Sequence, residues 1–314
     1  MMPTYITVDS GTTNTRVSLL EDEKIIDSVK FKPMATNVKS RQEVLSEQLK
    51  VGIDGILARN GKKPCDIERI IACGMISSEI GLITLEHINS PCGLKELAKN
   101  LYETVINSIS EIPFVFIRGV KCVSSDGYVD VMRGEEAEIY GICKNPDSSC
   151  MYVLPGSHSK LIYIDDDGRI SHFSTELTGE MIGAIASNTI LKNTVSLDQR
   201  ELDEEYLQKG YLLSSKKGMN AALFKVRTLK NFGKRTDAEV FSFFIGSILA
   251  PEINSIISSS AKKIIIGGKA QLKEPTAILL KKNSDKVVET VPCDISDLAT
   301  AYGCVRIYEK AAEL

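Results

Sequence analysis

The chain has 314 residues, 43% of them hydrophobic and 25% charged, enough for about two domains with conventional cores. That length excludes a small disulfide-stapled scaffold, and the composition excludes a disordered or collagenous chain. With 38 basic against 41 acidic residues the net charge is -3, so the basic excess expected of a nucleic-acid binder is missing.

The eight cysteines, Cys65, Cys73, Cys92, Cys122, Cys143, Cys150, Cys293 and Cys304, include no Cys-x-x-Cys pair, and free thiols in a reducing compartment are expected. Met1 and Met2 run straight into a strand-like Tyr5–Val8 with no basic and apolar leader, and no run is read as a membrane span of about 20 apolar residues. A cytoplasmic protein with no membrane partner is the expectation.

In chain order, Tyr5–Val8, Arg16–Leu20 and Lys24–Phe31 alternate as strands of an antiparallel meander. Helical spacing follows over 41–60, with Gly61 as its stop. A strand is predicted over Arg69–Cys73, a helix over Leu94–Ile109 and a strand over Pro113–Val120. The polar Lys144–Ser149 segment, with Pro146, reads as the domain crossover. The opening pattern then recurs as strand Tyr152–Leu154, turn 155–159, strand Lys160–Ile164, turn 165–168 and strand Arg169–Thr175, which points to internal duplication. Helices over Thr178–Leu191, Gly218–Asn231 and Asp237–Ile257, an apolar strand Lys263–Ile266 and a last helix Leu298–Ala312 complete the pattern. The expected domains are 1–145 and 146–314, with the last helix returning to the first.

Three segments carry the chemistry. Asp9-Ser10-Gly11-Thr12-Thr13-Asn14 sets a carboxylate at a strand end, a glycine for close backbone approach and hydroxyl and amide donors. Those parts suit nucleotide phosphates and a hydrated Mg²⁺ ion with Asp9 as ligand. Pro155-Gly156-Ser157-His158-Ser159 is a second such turn, with His158 a donor, and Ile264–Ile266 ending in Gly267-Gly268-Lys269 would let backbone pass flat against adenosine. Paired phosphate turns are how the actin, hexokinase and heat-shock ATPase superfamily clamps ATP, and no Walker A pattern is present. The third segment, Asp130-Val131-Met132-Arg133-Gly134-Glu135-Glu136, offers a proton acceptor. Asp130 is the first choice, with Glu135 and Glu136 as rivals and Arg133 as a bidentate partner for a carboxylate. His87 and His172 read as structural, and Glu180 as either a helix cap or a sugar ligand.

The segments Asp9–Arg16, Gly74–Ser78, Asp130–Glu136, Leu154–Lys160 and Phe173–Glu180 together resemble the successive motifs of the 2-dehydro-3-deoxygalactonokinase family, in order and over nearly the whole chain. The resemblance implies an α/β fold of two duplicated actin-like (ribonuclease H-like) domains with an interdomain nucleotide cleft. It also implies ATP and Mg²⁺ as cofactors and phosphorylation of the 6-hydroxyl of a 2-keto-3-deoxy sugar acid. Ser77, Arg133, Ser159, Lys160 and Glu180 become substrate-binding candidates. Where the family usually shows Gly-Ser-Arg-Gln-Gly after Gly74-Met-Ile, this chain has Ser77-Ser78-Glu79-Ile80-Gly81 and lacks that cation. A phosphohydrolase of the same fold and a non-catalytic nucleotide-dependent regulator stay open as alternatives, as do monomer and homodimer.

Overall fold

The computed structural model describes residues 3–11, 14–32, 38–268 and 270–314, with the backbone alone at 38–40 and 270. The chain forms two compact units. Unit 1 comprises Met1–Ser148, Ile164–His172 and Asp294–Leu314, and unit 2 comprises Ser149–Tyr163 and Phe173–Cys293.

Unit 1 opens with β1 (Thr4–Ser10), β2 (Thr15–Glu21) and β3 (Lys24–Phe31), the meander expected from alternation, followed by α1 (Val38–Arg59) and β4 (Arg69–Gly74). Then come β5 (Ile88–Asn89), α2 (Leu94–Lys99), β6 (Tyr102–Ile106), β7 (Ser110–Phe116), β8 (Val120–Val123), β9 (Val129–Met132) and α3 (Glu135–Ile142). Unit 2 contributes β10 (Cys150–Leu154), β11 (Ser159–Ile164), β12 (Ile170–Glu176), α4 (Thr178–Asn188), α5 (Glu204–Lys217), α6 (Met219–Asn231) and α7 (Asp237–Ser258), β11 and β12 extending into the hairpin assigned to unit 1. It continues with β13 (Lys263–Ile266), α8 (Ala270–Asn283) and β14 (Val287–Thr290), and α9 (Cys293–Ala312) ends the chain in unit 1.

The main sheets have strand orders β3-β2-β1-β4-β7-β6 and β12-β11-β10-β13-β14, and a small sheet has β5-β8-β9. Both main sheets thus begin with the same arrangement, an antiparallel meander whose first strand sits beside a parallel fourth. In β1 the period of two puts Ile6 and Val8 into a core with Leu49, Ile53 and Ile56 of α1. The opposite face carries Tyr5, whose ring meets Tyr308 of α9 edge-on at 5.6 Å. Asp9 shares that parity, and its parallel neighbour is Cys73. Helices α3 and α9 cross where Gly141 and Gly303 leave no room for a Cβ against the carbonyls of Ala299 and Ala137.

The predicted helix over Leu94–Ile109 is corrected. Helix α2 stops at Asn100, whose side chain bonds back to the Glu96 carbonyl, and the β-branched run Thr104-Val105-Ile106 supports β6 against β7. The predicted strand Pro113–Val120 divides into β7 and β8, and α5 and α8 were not foreseen. By length and composition α7 could cross a bilayer, a feature the chain-order reading did not pick out. Its residues from Val240 to Ala250 are buried in the core of unit 2 against α5, where Gly246 abuts the carbonyl of Leu207.

Candidate active site

The first turn of unit 1 is closed by the Gly11 N–H donating to the Asn14 carbonyl at 2.8 Å and by the Ser10 and Thr15 hydroxyls, 3.2 Å apart. Thr12 and Thr13 lie outside the described residues. Gly74, at φ +83°, lies so close to the Ser10 carbonyl that a Cβ would collide with it, and the position of a Cβ at Gly134 is 3.4 Å from the Gly74 Cα. Three backbone segments therefore stack at the end of β1, and only glycine fits at the centre.

Helix α3 starts at this stack. Glu136 is fully buried, and its two carboxyl oxygens accept the Gly134 N–H at 2.8 and 2.9 Å. Burial first, then the charge of Glu135, raises the Glu136 pKa to about 8, against the pull of the Gly134 amide and Arg133. Glu135 accepts the Arg133 N–H at 2.9 Å. Cys73 is hydrogen-bonded to Cys304 and buried, and its thiol is pushed well up by both, with further contributions from Asp9 and Glu136. Asp9 and Glu136 therefore share the environment of Cys73.

Arg133 is half-buried. Its Nη1 donates to Ser77 Oγ at 2.8 Å and its Nη2 to the Leu85 carbonyl at 2.6 Å, with His87 Nδ1 3.4 Å away. Ser77, fully buried, donates to the Gly74 carbonyl at 3.2 Å and so ties Arg133 to the glycine stack. Gly119 makes room for both partners, since a Cβ there would lie 2.6 Å from Arg133 Cγ and 2.7 Å from His87 Cδ2. Arg118 donates to the carbonyls of Asn100 at 3.0 Å and Glu86 at 3.3 Å. Desolvation, then the charge of Arg118, lowers the pKa of Arg133, while Glu136 opposes the shift. A cleft beside the first turn is lined by Ser10, Gly11, Thr15, Met75, Ile80 and, from α1, Arg41. Asp130 stays on the β8–β9 hairpin, partly exposed, with its Oδ1 accepting the Val131 N–H at 2.7 Å.

In unit 2 the turn between β10 and β11 is packed from two sides. At the start of α4, a Cβ on Gly179 would lie 2.7 Å from the Ser157 Cα, the Glu180 N–H donates to the Ser157 carbonyl at 3.1 Å, and the Glu180 carboxylate meets His158 Nε2 at 2.9 Å. From β13, the Gly267 N–H donates to the Val153 carbonyl at 2.9 Å. Gly268, at φ +69°, sits where a Cβ would be 2.8 Å from the Pro155 carbonyl oxygen. Thus Gly156, Ser157, His158, Glu180, Gly267 and Gly268 come together, while Lys269 lies outside the described residues. Ser159 and Lys160 are buried beneath the turn, with the Lys160 ammonium donating to Thr175 Oγ1 at 2.6 Å. Glu252 of α7, 2% exposed, accepts from the Thr178 hydroxyl. Burial raises its pKa to about 7 against the hydrogen bonds of Thr178 and Ser159.

Glu252 and Arg118 were missed by the sequence reading, and Arg41 was placed only within a helix. Glu252 lay within the predicted helix Asp237–Ile257, and Arg118 within the predicted strand Pro113–Val120. The neighbouring Gly119, a residue type that permits close packing, was the available sequence signal at Arg118, and that the stem of Arg133 packs there was decided by the fold.

The 2-keto-3-deoxy-galactonokinase family model matches residues 9–306. The 2-dehydro-3-deoxygalactonokinase of Escherichia coli K12 is 27% identical over 263 residues, 82% of this chain and 81% of the relative. Among solved structures, a candidate 2-dehydro-3-deoxygalactonokinase protein of Sinorhizobium meliloti superposes with a TM-score of 0.79 at 22% identity, covering 96% of this chain and 95% of that one. The activator of 2-hydroxyisocaproyl-CoA dehydratase from Clostridium difficile, solved with bound ADPNP, superposes with a TM-score of 0.55 at 13% identity over 100% of this chain and 96% of that one. The fold is that of the actin-like ATPases, and by the match over 9–306 the chain belongs to the 2-keto-3-deoxy-galactonokinase family of sugar phosphotransferases.

Proposed function

We propose that the chain transfers the γ-phosphoryl group of ATP to the 6-hydroxyl of a 2-keto-3-deoxy sugar acid of the galactonate type, with Glu136 taking the hydroxyl proton. The observation that carries this is the Glu136 carboxyl, fully buried where the Ser10, Gly74 and Gly134 backbones meet, with a pKa near 8. A proton acceptor works best when its pKa lies near the working pH. Each of the three carboxylates accepts a backbone N–H, Asp130 from Val131, Glu135 from Arg133 and Glu136 from Gly134, and only Glu136 is buried. Of the three carboxylates Glu136 supports the role best.

The residues present fit Mg²⁺ and nucleotide phosphates. Asp9 offers hard carboxylate oxygens at a strand end. Among the described residues no three His, Cys, Asp or Glu side chains gather as a metal cage, which suits an ion that keeps several waters and completes its shell on phosphate. At Gly11 and Gly156 an added Cβ would meet nothing closer than 3.5 and 3.9 Å, leaving space beside backbone N–H groups for phosphate oxygens. Bound MgATP would supply the phosphoryl group with its charge partly neutralised. Asp9 would hold the ion. Gly11, Thr12, Thr13 and Asn14 of unit 1, and Gly156, Ser157 and His158 of unit 2, would hold phosphates, with Gly267, Gly268 and Lys269 beside adenosine. Glu180 would keep His158 aimed, Ser159 and Lys160 would support the turn from beneath, and Arg133, braced by Ser77, would orient the sugar acid. A cytoplasmic location and small-molecule partners accompany this reading.

The test is an ADP-release assay over 2-keto-3-deoxy sugar acids, neutral sugars and water alone. Release that depends on a sugar acid supports the proposal. Equal release with water alone would establish a phosphohydrolase instead, and no turnover with any acceptor would leave nucleotide-dependent regulation as the better reading.

A further inference from the structure

Arg118 and Arg133 belong to different strands' ends, yet their guanidinium groups dock on successive carbonyls of one segment, Arg118 on Glu86 and Arg133 on Leu85. The next residue, His87, faces Arg133 Nη2 at 3.4 Å, and the backbone that brings the two arginines together is pinned by the Ile88 N–H donating to the Gly119 carbonyl at 2.8 Å. Every acceptor recorded for these two side chains is neutral: carbonyls, the Ser77 hydroxyl and an imidazole nitrogen. Among the described residues neither guanidinium is in an ion pair with a carboxylate, although exposed arginines elsewhere on the chain, such as Arg59 with Asp27, are. The Glu136 carboxyl attracts Arg133 from a distance but bonds to the Gly134 N–H rather than to either guanidinium, so the two half-buried cations still lack a carboxylate in contact, and an incoming anion relieves their mutual repulsion. The planar fork of a guanidinium matches a carboxylate in particular.

We propose that Arg118, together with Arg133, forms the receptor for the carboxylate of the sugar acid, and that Arg118 sets the enzyme's preference for an acidic over a neutral substrate. The proposal rests on the kinase reading above for the identity of the acid. Arg118 is a specificity residue that contributes charge at a distance from the proton-transfer step, which remains with Glu136.

The experiment compares 2-keto-3-deoxy-galactonate with its primary amide, which has nearly the same shape and no charge. Calorimetric affinity and kinase KM and kcat are measured for the wild type, Arg118→Gln, Arg118→Lys and Arg41→Gln, with melting temperatures as a check on folding. Loss of one charged hydrogen-bonded contact predicts that Arg118→Gln weakens acid binding about tenfold or more and amide binding less than about threefold. The change should be in KM more than in kcat, with Arg118→Lys recovering part of the acid preference. An unchanged acid-to-amide ratio in Arg118→Gln, or a collapse of that ratio only in Arg41→Gln, would overturn the proposal. Wild-type binding that prefers the acid without any ADP release would sink the kinase reading while leaving the receptor standing.

Discussion

Replacing Glu136 by Gln should cost activity and increase stability, with both effects tied to pH. The glutamine keeps the shape and one carbonyl oxygen for the Gly134 N–H but cannot accept a proton, so turnover should fall about 10²- to 10⁴-fold. In the wild type, kcat/KM should rise with pH toward about 8, as the buried carboxyl loses its proton. The stability effect follows from linkage. Between 4.5 and about 8 the folded protein holds the Glu136 proton that the unfolded chain has released, so stability falls as pH rises through this window. At about 1.4 kcal/mol per pH unit, the loss reaches up to about 5 kcal/mol above pH 8. Below pH 4.5 both states are protonated and the contribution is absent. The neutral glutamine escapes the loss, so urea unfolding of both proteins from pH 5 to 9 should show a gap that opens with pH in favour of the variant. A gap independent of pH, or a variant retaining more than about a tenth of wild-type turnover, would refute the assignment, and Asp130→Asn in the same assays shows whether the acceptor lies on the hairpin instead.

Asp9→Asn should leave the fold intact and lower turnover more than about tenfold by weakening the hold on Mg²⁺; wild-type rates at saturating Mg²⁺ would remove Asp9 from the metal's shell. Gly268→Val combines a φ of +69° with a Cβ 2.8 Å from the Pro155 oxygen, so equilibrium binding should show ATP affinity reduced about tenfold or more, and an unchanged affinity would detach this strand end from the nucleotide. Gly303→Ala would drive a methyl group into the Ala137 carbonyl at the crossing of α3 and α9, at a cost of about 3 kcal/mol in urea unfolding. Because the crossing holds α3 at Ala137, the residue after Glu136, kcat should fall too, and a variant as stable as wild type would mean that the helices can part without cost.

Much of the architecture was legible because it rests on local rules. Alternation in β1 to β3 specified the meander, and Asp9 was legible as a carboxylate at the end of its first strand. The small-residue turns at Gly11 and Gly156 and the Gly267-Gly268 strand end were visible as composition, and Asp130–Glu136 was visible as a charge cluster. Where local rules compete, the sequence was ambiguous. Residues 94–109 carry helical spacing and a β-branched run at once, and only pairing with β7 decided the second half.

The choice among Asp130, Glu135 and Glu136 was likewise out of reach of the sequence, since the three carboxylates are chemically alike and differ only in burial and partners. Glu136 is fully buried at the start of a helix whose next residue, Ala137, packs on α9, more than 150 residues further along the chain, where Gly303 leaves room for it. The docking of Arg118 and Arg133 on neighbouring carbonyls needs β5, β8 and β9 to be side by side. A sequence pattern reports which groups a strand or helix presents to one face. The pKa of a carboxyl and the pairing of two cations depend on what the rest of the chain packs over that face, and here the tertiary structure decided both.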